Sequence, residues 1–365
     1  MSEDQPTQVT AEQVLSALKG VTDPDLKRDV VSLGMIHDLK IEGDHVSFRF
    51  VLTTPACPVR EQLEGQARGV VAALPGVGSV DVRMEASVPS QRSSVGENRR
   101  PVENVANIVA VTSGKGGVGK STIAVNLACA LVRLGARVGL LDCDIYGPNV
   151  PIMLGLKGQP MAEGQRIIPL EAFGLKVMSM GLLAEGDTPL IWRGPMLHSV
   201  IQQFLYQVNW GQLDYLIADL PPGTGDVQLT MIQSVPLAGG LVVTTPQDVA
   251  LSDARKGIMM FKQVQVHVLG VIENMSYFIC PHCGERSEIF SFGGGERTSE
   301  AYQVPFLGRV PLETEIREGG DKGEPIVISH PDSPAAHVFL EMAQTLAARI
   351  STVNLESQPT VPLES

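Results

Sequence analysis

The chain has 365 residues, of which 44% are hydrophobic and 19% are charged. At about 150 residues per domain, this length predicts two domains, and the composition excludes a fully disordered, collagen-like or coiled-coil protein. The 28 Lys and Arg residues against 40 Asp and Glu residues give a net charge of −12, which disfavours nucleic-acid binding. No apolar run approaches a membrane span, and the start, MSEDQPTQ, is acidic where a secretory signal is basic. We therefore expect a cytoplasmic protein that binds neither nucleic acid nor membrane.

Residues 1–85 predict a small α+β domain. Thr10 and Gln13 have the spacing of a capping box and precede an amphipathic helix. The run from His45 to Leu52 alternates apolar and polar residues, which is typical of a strand with one buried face. Three further segments are predicted: a strand from Met35 to Ile41, a helix from Pro58 to about Leu74 and a strand from Ser79 to Met84. The predicted order is therefore helix, strand, strand, helix, strand.

Residues 86–104 are rich in Ser, Pro and Arg and are predicted to be a linker. Residues 105–350 predict a doubly wound, mostly parallel sheet, because continuous apolar strands alternate with helical segments. The predicted strands are Ile108 to Val111, Val138 to Leu141, Tyr215 to Ala218, Leu241 to Val243, and Val268 to Ile272. The last helix is expected from Pro334 to about Ile350, and residues 351–365 are expected to be a disordered tail.

A glycine-rich loop follows the first of these strands and fits the phosphate-loop pattern GxxxxGK[ST]. The same letters also fit the dinucleotide pattern GxGxxG, and Asp142 lies near the distance of a ribose-binding acid. Lys120 and Ser121 favour a triphosphate with a metal ion, because a dinucleotide turn uses neither group. We expect Lys120 to hold the β and γ oxygens and Ser121 to bind Mg²⁺. The predicted loop consists of Gly114, Lys115, Gly116, Gly117, Val118, Gly119, Lys120, Ser121 and Thr122.

Two other predicted strands end in aspartates. Asp142 and Asp144 end one strand, and Asp219 ends another in the position of a Walker B carboxylate. Gly223, in the turn that follows Asp219, is placed to sense a γ-phosphate through its N–H group. Helix capping would explain either acidic site alone, but it does not explain both together with the loop.

Cys280 and Cys283 have the CxxC spacing of metal ligands. One chain offers half of a tetrathiolate site, and two chains related by a two-fold axis supply all four thiolates. A redox dithiol, a structural zinc site and a purely structural role stay open. Cys129 and Cys143 are interpreted as core residues, while Cys57 precedes a predicted helix whose dipole would lower its thiol pKa.

Lys115 is a second lysine inside the loop, which gives the form KGGxGK[ST] of the MinD and ParA superfamily. The ordered motifs GKGGVGKST, LLDCDIYGPNVP, DYLIADLPPGTGD, TTPQDVALSDARKG and VIENMSYFICPHCG closely resemble those of the Mrp (ApbC) family of iron-sulfur carrier proteins. This resemblance covers about Asn107 to Ile350. The first domain resembles the small domain that often precedes the ATPase and is linked to iron-sulfur maturation, although Asp23-Pro-Asp25 stands where Asp-Pro-Glu is common.

The resemblance implies a homodimeric ATPase that uses ATP and Mg²⁺ and carries a [4Fe-4S] cluster bridging two subunits. Its implied partners are apo iron-sulfur proteins, which receive the cluster, and cluster scaffold proteins. The implied cluster ligands are Cys280 and Cys283, and the implied catalytic residues are Lys115, Lys120 and Asp144.

The resemblance also assigns individual roles. Lys115 is implied to reach the partner's phosphates, Asp142 to support Mg²⁺ through water and Asp144 to orient the attacking water. Asn274 is implied to contact the base and to favour adenine. Two other functions stay open: a positioning ATPase of the MinD or ParA kind and a zinc-stabilised regulatory NTPase.

Overall fold

The computed structural model describes residues 9–90, 99–144, 147–183 and 194–356. The described residues divide into two compact units. One lies within Met1–Pro89 and Ala347–Thr352, and the other lies within Ser90–Leu346 and Val353–Ser365. The division between Pro89 and Ser90 falls inside the segment that the sequence marks as a linker.

The small unit contains two helices and a three-stranded sheet. Its elements are α1 (Ala11–Leu18), β1 (Thr22–Asp23), β2 (Arg28–Asp29), β3 (Ile36–Glu42), β4 (His45–Leu52), α2 (Arg60–Ala72) and β5 (Ser79–Ala86). Strand β4 pairs antiparallel with β3 and parallel with β5, and β1 and β2 form a separate short ladder.

Local sequence rules account for this unit. The capping box is confirmed, since the Thr10 side chain accepts from the Gln13 N–H and the Gln13 side chain accepts from the Thr10 N–H. The predicted alternation of β4 is also confirmed, because its even-numbered residues are buried from Val46 to Leu52. These side chains pack with α1 and α2 residues in one core.

The large unit is built on an eight-stranded sheet with the order β10-β11-β7-β12-β6-β13-β14-β17. All neighbouring strands are parallel except β10 and β11. The strands are β6 (Val105–Ser113), β7 (Val138–Asp142), β10 (Leu170–Ala172), β11 (Leu175–Ser179), β12 (Leu213–Asp219), β13 (Gly239–Thr244), β14 (Val268–Glu273) and β17 (Phe306–Arg309).

Helices and two short hairpins complete this unit. The helices are α3 (Lys120–Arg133), α4 (Val150–Met153), α5 (Gly194–Tyr206), α6 (Asp226–Ser234), α7 (Asp248–Gln263), α8 (Gly294–Ala301), α9 (Thr314–Lys322), α10 (Ile326–Ser329) and α11 (Pro334–Glu356), with a 3₁₀ turn at Met180–Leu182. The hairpins pair β8 (Met161–Glu163) with β9 (Arg166–Ile168), and β15 (Phe278–Ile279) with β16 (Arg286–Ser287).

Both faces of the sheet are covered by helices. On β6, Ile108 and Ala110 belong to a core shared with α5, α6 and α7, whereas Val109 and Val111 are fully buried on the alternate face. Helix α3 contacts β6, β7 and β12. The predicted doubly wound fold is therefore confirmed, together with all five predicted strands, and β10, β11 and β17 are additional.

The end of the last helix differs from the prediction. Helix α11 continues to Glu356, so residues 351–356 are helical where the sequence predicted a disordered tail. The reason lies in buried polar contacts beyond Ile350. Asn354 is 4% exposed and its Nδ2 donates to Asn107 Oδ1 at 2.9 Å.

Candidate functional site

The phosphate loop joins β6 to α3 at the carboxyl edge of the sheet. Gly117 and Gly119 both have a φ of 78°, a left-handed conformation that favours glycine. Gly114 is required for another reason, because a Cβ there would lie 2.2 Å from the carbonyl carbon of Asp253 on α7. The loop therefore brings bare backbone N–H groups to the start of α3, which is the usual geometry of an anion site.

Lys120, Ser121 and Asp219 are joined by short contacts at the start of α3. Lys120 Nζ lies 2.6 Å from Asp219 Oδ1, and Ser121 Oγ donates to Asp219 Oδ2 at 2.6 Å. Lys120 is 6% exposed and Asp219 is fully buried. Burial raises the pKa of Asp219, while Lys120 and Ser121 act in the opposite direction. The structure thus brings together the three residues that the sequence predicted for phosphate and Mg²⁺ binding.

Asp142 lies beside this group because of strand register. It is paired with Asp219 across β7 and β12 and with Ser179 across β7 and β11. Its carboxylate accepts from Ser179 Oγ at 2.8 Å and from the Asp144 N–H at 3.0 Å. Burial, and then the nearby Asp219, raise the pKa of Asp142 to about 7. Asp144 Oδ2 lies 3.7 Å from Lys120 Nζ, so Asp144 and Asp219 both pair with this lysine while Asp142 lies beside Asp219 on the neighbouring strand.

Lys115 and Gly223 are linked to the end of β6 through Ser113. The Ser113 hydroxyl donates to the Lys115 carbonyl at 2.9 Å, and the Gly223 N–H donates to the Ser113 carbonyl at 2.8 Å. Gly116 is exposed, and Pro222 is its nearest neighbour for an added Cβ, at 4.0 Å. The loop after β12 therefore packs beside the phosphate loop. The Gly223 N–H, which the sequence placed to sense a γ-phosphate, is bonded to the Ser113 carbonyl in this structure.

Two adjoining cavities open at this edge of the sheet. The phosphate loop lines one of about 170 Å³, and a second of about 350 Å³ shares Thr122, Asn149 and Met153 with it. The second cavity is also lined by Asn274 and Met275 after β14 and by residues of α9 and the segment before it: Pro311, Leu312, Glu313, Ile316, Arg317, Gly320 and Asp321.

Asn274, which the resemblance assigns to the base, lies between the two cavities. Its Nδ2 donates to the Val118 carbonyl at 2.8 Å, and its own N–H donates to the Thr244 carbonyl. An added Cβ at Gly119 would lie 2.1 Å from this Nδ2. The side chain therefore supports the phosphate loop directly and forms part of the larger cavity at the same time.

Cys280 and Cys283 lie in the turn between β15 and β16. The Cys280 N–H donates to the Glu285 carbonyl, and the Gly284 N–H donates to the Cys280 carbonyl, with Gly284 at a φ of 71°. Backbone N–H groups of Cys283 and His282 point at the Cys280 sulfur, and they lower its thiol pKa. Cys280 is half-buried and Cys283 is exposed. Both thiols are therefore accessible to a ligand, and one of them is favoured as the thiolate.

Each chain offers two thiols at this turn. Within the described part of the chain, no three His, Cys, Asp or Glu side chains are grouped so that they could hold a metal ion. The turn follows β14 through Asn274, and the phosphate loop follows β6. Both strands run parallel in one sheet, so both sites leave the same edge.

The remaining cysteines divide as follows. Cys129 and Cys143 are fully buried, as predicted for core residues. The expectation for Cys57 was wrong, since burial raises its thiol pKa to about 11 and outweighs the Val59 backbone N–H that acts in the opposite direction. Helix α2 begins only at Arg60, and burial decides the sign of the shift.

Sequence reasoning missed several residues around these sites. Ser179 binds Asp142 but belongs to β11, a strand that was not predicted. Glu273 is fully buried at the end of β14, and the Gly293 and Gly295 N–H groups donate to its carboxylate at 3.0 and 2.6 Å. A charged residue directly after an apolar strand was the signal that could have identified it.

Among the described residues, no helix is both long and apolar enough to cross a membrane.

The chain is similar in sequence, over most of its length, to proteins named iron-sulfur cluster carrier protein. The iron-sulfur cluster carrier protein of Synechocystis sp. is 53% identical over 353 residues, covering 95% of this chain and 99% of that protein. The protein of the same name from Escherichia coli is 41% identical over 339 residues, covering 92% and 91%.

Solved structures share the fold of the large unit. A nucleotide-binding protein from Archaeoglobus fulgidus in complex with ADP has a TM-score of 0.54 and 38% identity, covering 60% of this chain and 88% of that chain. The cell division ATPase MinD of Pyrococcus furiosus has a TM-score of 0.52 and 24% identity, covering 66% and 97%, which shows a common fold.

Two family models match separate parts of the chain. A model described as an iron-sulfur cluster assembly protein matches residues 11–82. A model described as the NUBPL iron-transfer P-loop NTPase matches residues 104–347. The chain belongs to the family of NUBPL iron-transfer P-loop NTPases.

Proposed function

We propose that this protein is an ATP-hydrolysing carrier that holds a [4Fe-4S] cluster between two copies of the chain and transfers it to apoproteins. The observation that supports this most strongly is the position of two accessible thiols on a turn that leaves the same sheet edge as the phosphate loop. The names of the relatives, iron-sulfur cluster carrier protein, agree with the proposal.

The two adjoining cavities suit ATP. The phosphates would lie against the loop N–H groups from Gly114 to Gly119, and the base would enter the cavity beside Asn274. The ADP complex of the Archaeoglobus relative supports a nucleotide at this site. The hydroxyl of Ser121 and the carboxylate of Asp219 are hard oxygen donors of the kind that Mg²⁺ prefers, so the residues fit this ion.

In this proposal the phosphates draw Lys120 away from Asp219, so that Nζ holds the β and γ oxygens. Bound Mg²⁺ would offset the charge of the buried carboxylates and of the phosphates. Asp144 would orient the attacking water, and Asp142, on the neighbouring strand, would help to hold Mg²⁺. Lys115, half-exposed in the loop, reaches the phosphates of a second copy.

The cluster is cargo in this mechanism. Four thiolates hold a cubane cluster, and one chain provides two of them, so a second copy must complete the site. Ile279 and Ile289 lie on either side of the Cys turn and are 45% and 55% exposed. Burial of these side chains between two copies would favour the dimer that brings four thiolates together.

The larger of the two cavities, which we call the base cavity, is connected to the Cys turn through backbone hydrogen bonds. Cys280 lies six residues after Asn274. The Ser276 N–H donates to the Val310 carbonyl, and the Leu312 N–H donates to the Tyr277 carbonyl. Because Leu312 also lines the cavity, a nucleotide that moves this wall would move the base of the Cys hairpin.

Anaerobic reconstitution with iron and sulfide tests the proposal. Wild type is expected to take up about one [4Fe-4S] cluster per two chains, as four thiolates per cluster require. Cys280→Ala and Cys283→Ala should take up none while they keep ATP hydrolysis. Cys129→Ala, which changes a buried cysteine in α3, is the matched control and should take up the cluster.

Two results would contradict the proposal. Zinc retained by the wild type without iron uptake would indicate a zinc-stabilised regulatory NTPase. A cluster that remains bound to a monomer would exclude shared ligation by two copies.

A further inference from the structure

Arginine and aromatic side chains alternate in a column beside the Cys turn. Arg286 Cζ lies 4.4 Å from the ring centroids of both Tyr277 and Phe292. Arg309 Cζ lies 4.7 Å from the centroid of Phe292 and 4.9 Å from that of Phe306. The column therefore connects the hairpin of β15 and β16 to the edge strand β17.

The hairpin itself is short and exposed. Strands β15 and β16 contain two residues each, and residues 279 and 281–289 are all exposed. A two-stranded hairpin of this kind is marginal in water. A guanidinium between two aromatic faces is attracted to both rings, and its planar shape stacks on each of them.

Glu273 closes the base of the same segment. Its carboxylate accepts from Ser276 Oγ at 2.5 Å and from the N–H groups of Gly293 and Gly295. Both ends of residues 274–292 are thus tied to β14. The column adds contacts above this base, because Arg286 belongs to β16 itself and stacks on Tyr277 and Phe292.

We propose that Arg286 is a positioning residue for the cluster site. Clamped between Tyr277 and Phe292, it fixes the direction in which the turn presents Cys280 and Cys283, so that two copies can share one cluster. It acts through the hairpin backbone. This inference rests on the proposed function, since it concerns the same two thiols.

Hydrogen–deuterium exchange of the full-length protein, without a bound cluster, measures the local stability of the hairpin. In Arg286→Ala, peptides covering residues 278–287 should exchange about tenfold faster, which corresponds to about 1.4 kcal/mol of lost local stability. The matched control is Arg100→Ala, which removes a similar stack on Tyr206 at 4.9 Å, away from the hairpin. The control should leave exchange of the hairpin at the wild-type rate.

The rate of cluster loss tests whether the Arg286 substitutions weaken cluster binding. After reconstitution, the Arg286→Ala protein should lose its cluster to an iron chelator about tenfold faster than wild type, followed by the visible absorption of the cluster. Arg286→Lys keeps the charge but lacks the planar guanidinium, and it should also lose the cluster faster than wild type.

The inference is overturned if Arg286→Ala shows wild-type exchange or wild-type retention. It is also overturned if Arg286→Lys restores full retention, because charge alone would then suffice. If wild type takes up no cluster, the proposed function fails. The exchange rates then still decide whether Arg286 holds the hairpin.

Discussion

Lys120 and Asp219 form an ion pair in the interior of the large unit, with Nζ 2.6 Å from Oδ1. The pair joins the phosphate loop to the end of the neighbouring strand β12. Both residues are predicted to act on the phosphates and Mg²⁺. The same contact therefore holds the site together and contains groups that the proposed hydrolysis needs.

Replacement of Lys120 tests this double role. In Lys120→Ala, Asp219 stays buried without its cation, and the loss of one partner of a buried pair costs about 3–5 kcal/mol. We expect ATP hydrolysis to fall at least about 100-fold, because phosphate charge is no longer offset in the transition state. Urea unfolding and steady-state phosphate release measure the two effects.

The comparison variant is Lys115→Ala, whose side chain is half-exposed in the same loop. It should keep the stability of wild type and lose hydrolysis. Cluster uptake should persist in Lys120→Ala. Loss of cluster uptake in a folded Lys120→Ala protein would mean that formation of the thiolate site requires an intact nucleotide site.

The raised pKa of Asp142 predicts that the stability of the protein depends on pH. Its carboxyl has a pKa raised from 3.8 to about 7 in the folded protein, whereas the unfolded chain ionises near 4. The folded state thus binds more protons between these values, and the free energy of unfolding decreases as pH rises from about 4 to about 7. The decrease approaches about 1.4 kcal/mol per pH unit for one proton.

Urea unfolding in EDTA at several pH values between 5.5 and 7.5 measures this slope. Asp142→Asn should remove most of it, and Asp332→Asn, at an exposed loop position, should leave it unchanged. An equal slope in wild type and Asp142→Asn would show that Asp142 does not titrate in this range.

Gly320 offers a way to fill the base cavity. It lines that cavity on α9, and an added Cβ would meet only Met153, at 3.9 Å. Gly320→Phe should therefore weaken ATP binding at least about tenfold by excluding the base. Binding of magnesium tripolyphosphate, which has no base, should remain near the wild-type affinity.

Isothermal titration with both ligands measures the effect, and Gly320→Ala is the control with room for its methyl group. If Gly320→Phe binds ATP as tightly as wild type, the base does not enter this cavity. Equal losses for ATP and tripolyphosphate would instead indicate a disturbed phosphate loop.

Much of the fold follows from local sequence patterns. The capping box of Thr10 and Gln13, the alternation in β4 and the apolar strand cores each depend on residues close together in the chain. The phosphate loop is equally local, since its glycines and Lys120 are contiguous. Parallel strand order then brings Asp142 and Asp219 to one edge without further information.

Other features depend on contacts between distant segments. Ser179 reaches Asp142 only because β11 pairs with β7, and β11 has no strong pattern of its own. The base cavity combines α4, the segment after β14 and α9. For Cys57, the helix position suggested a lowered pKa, but tertiary burial determines the observed direction. Patterns along the chain contain none of these long-range relationships.

The exposed hairpin that bears Cys280 and Cys283 also separates two kinds of chemistry on one polypeptide. Among the described residues that line the two cavities, none belongs to this turn. In the proposed carrier, the ligands on this turn can therefore be exchanged without a change to the buried residues around Lys120 and Asp219.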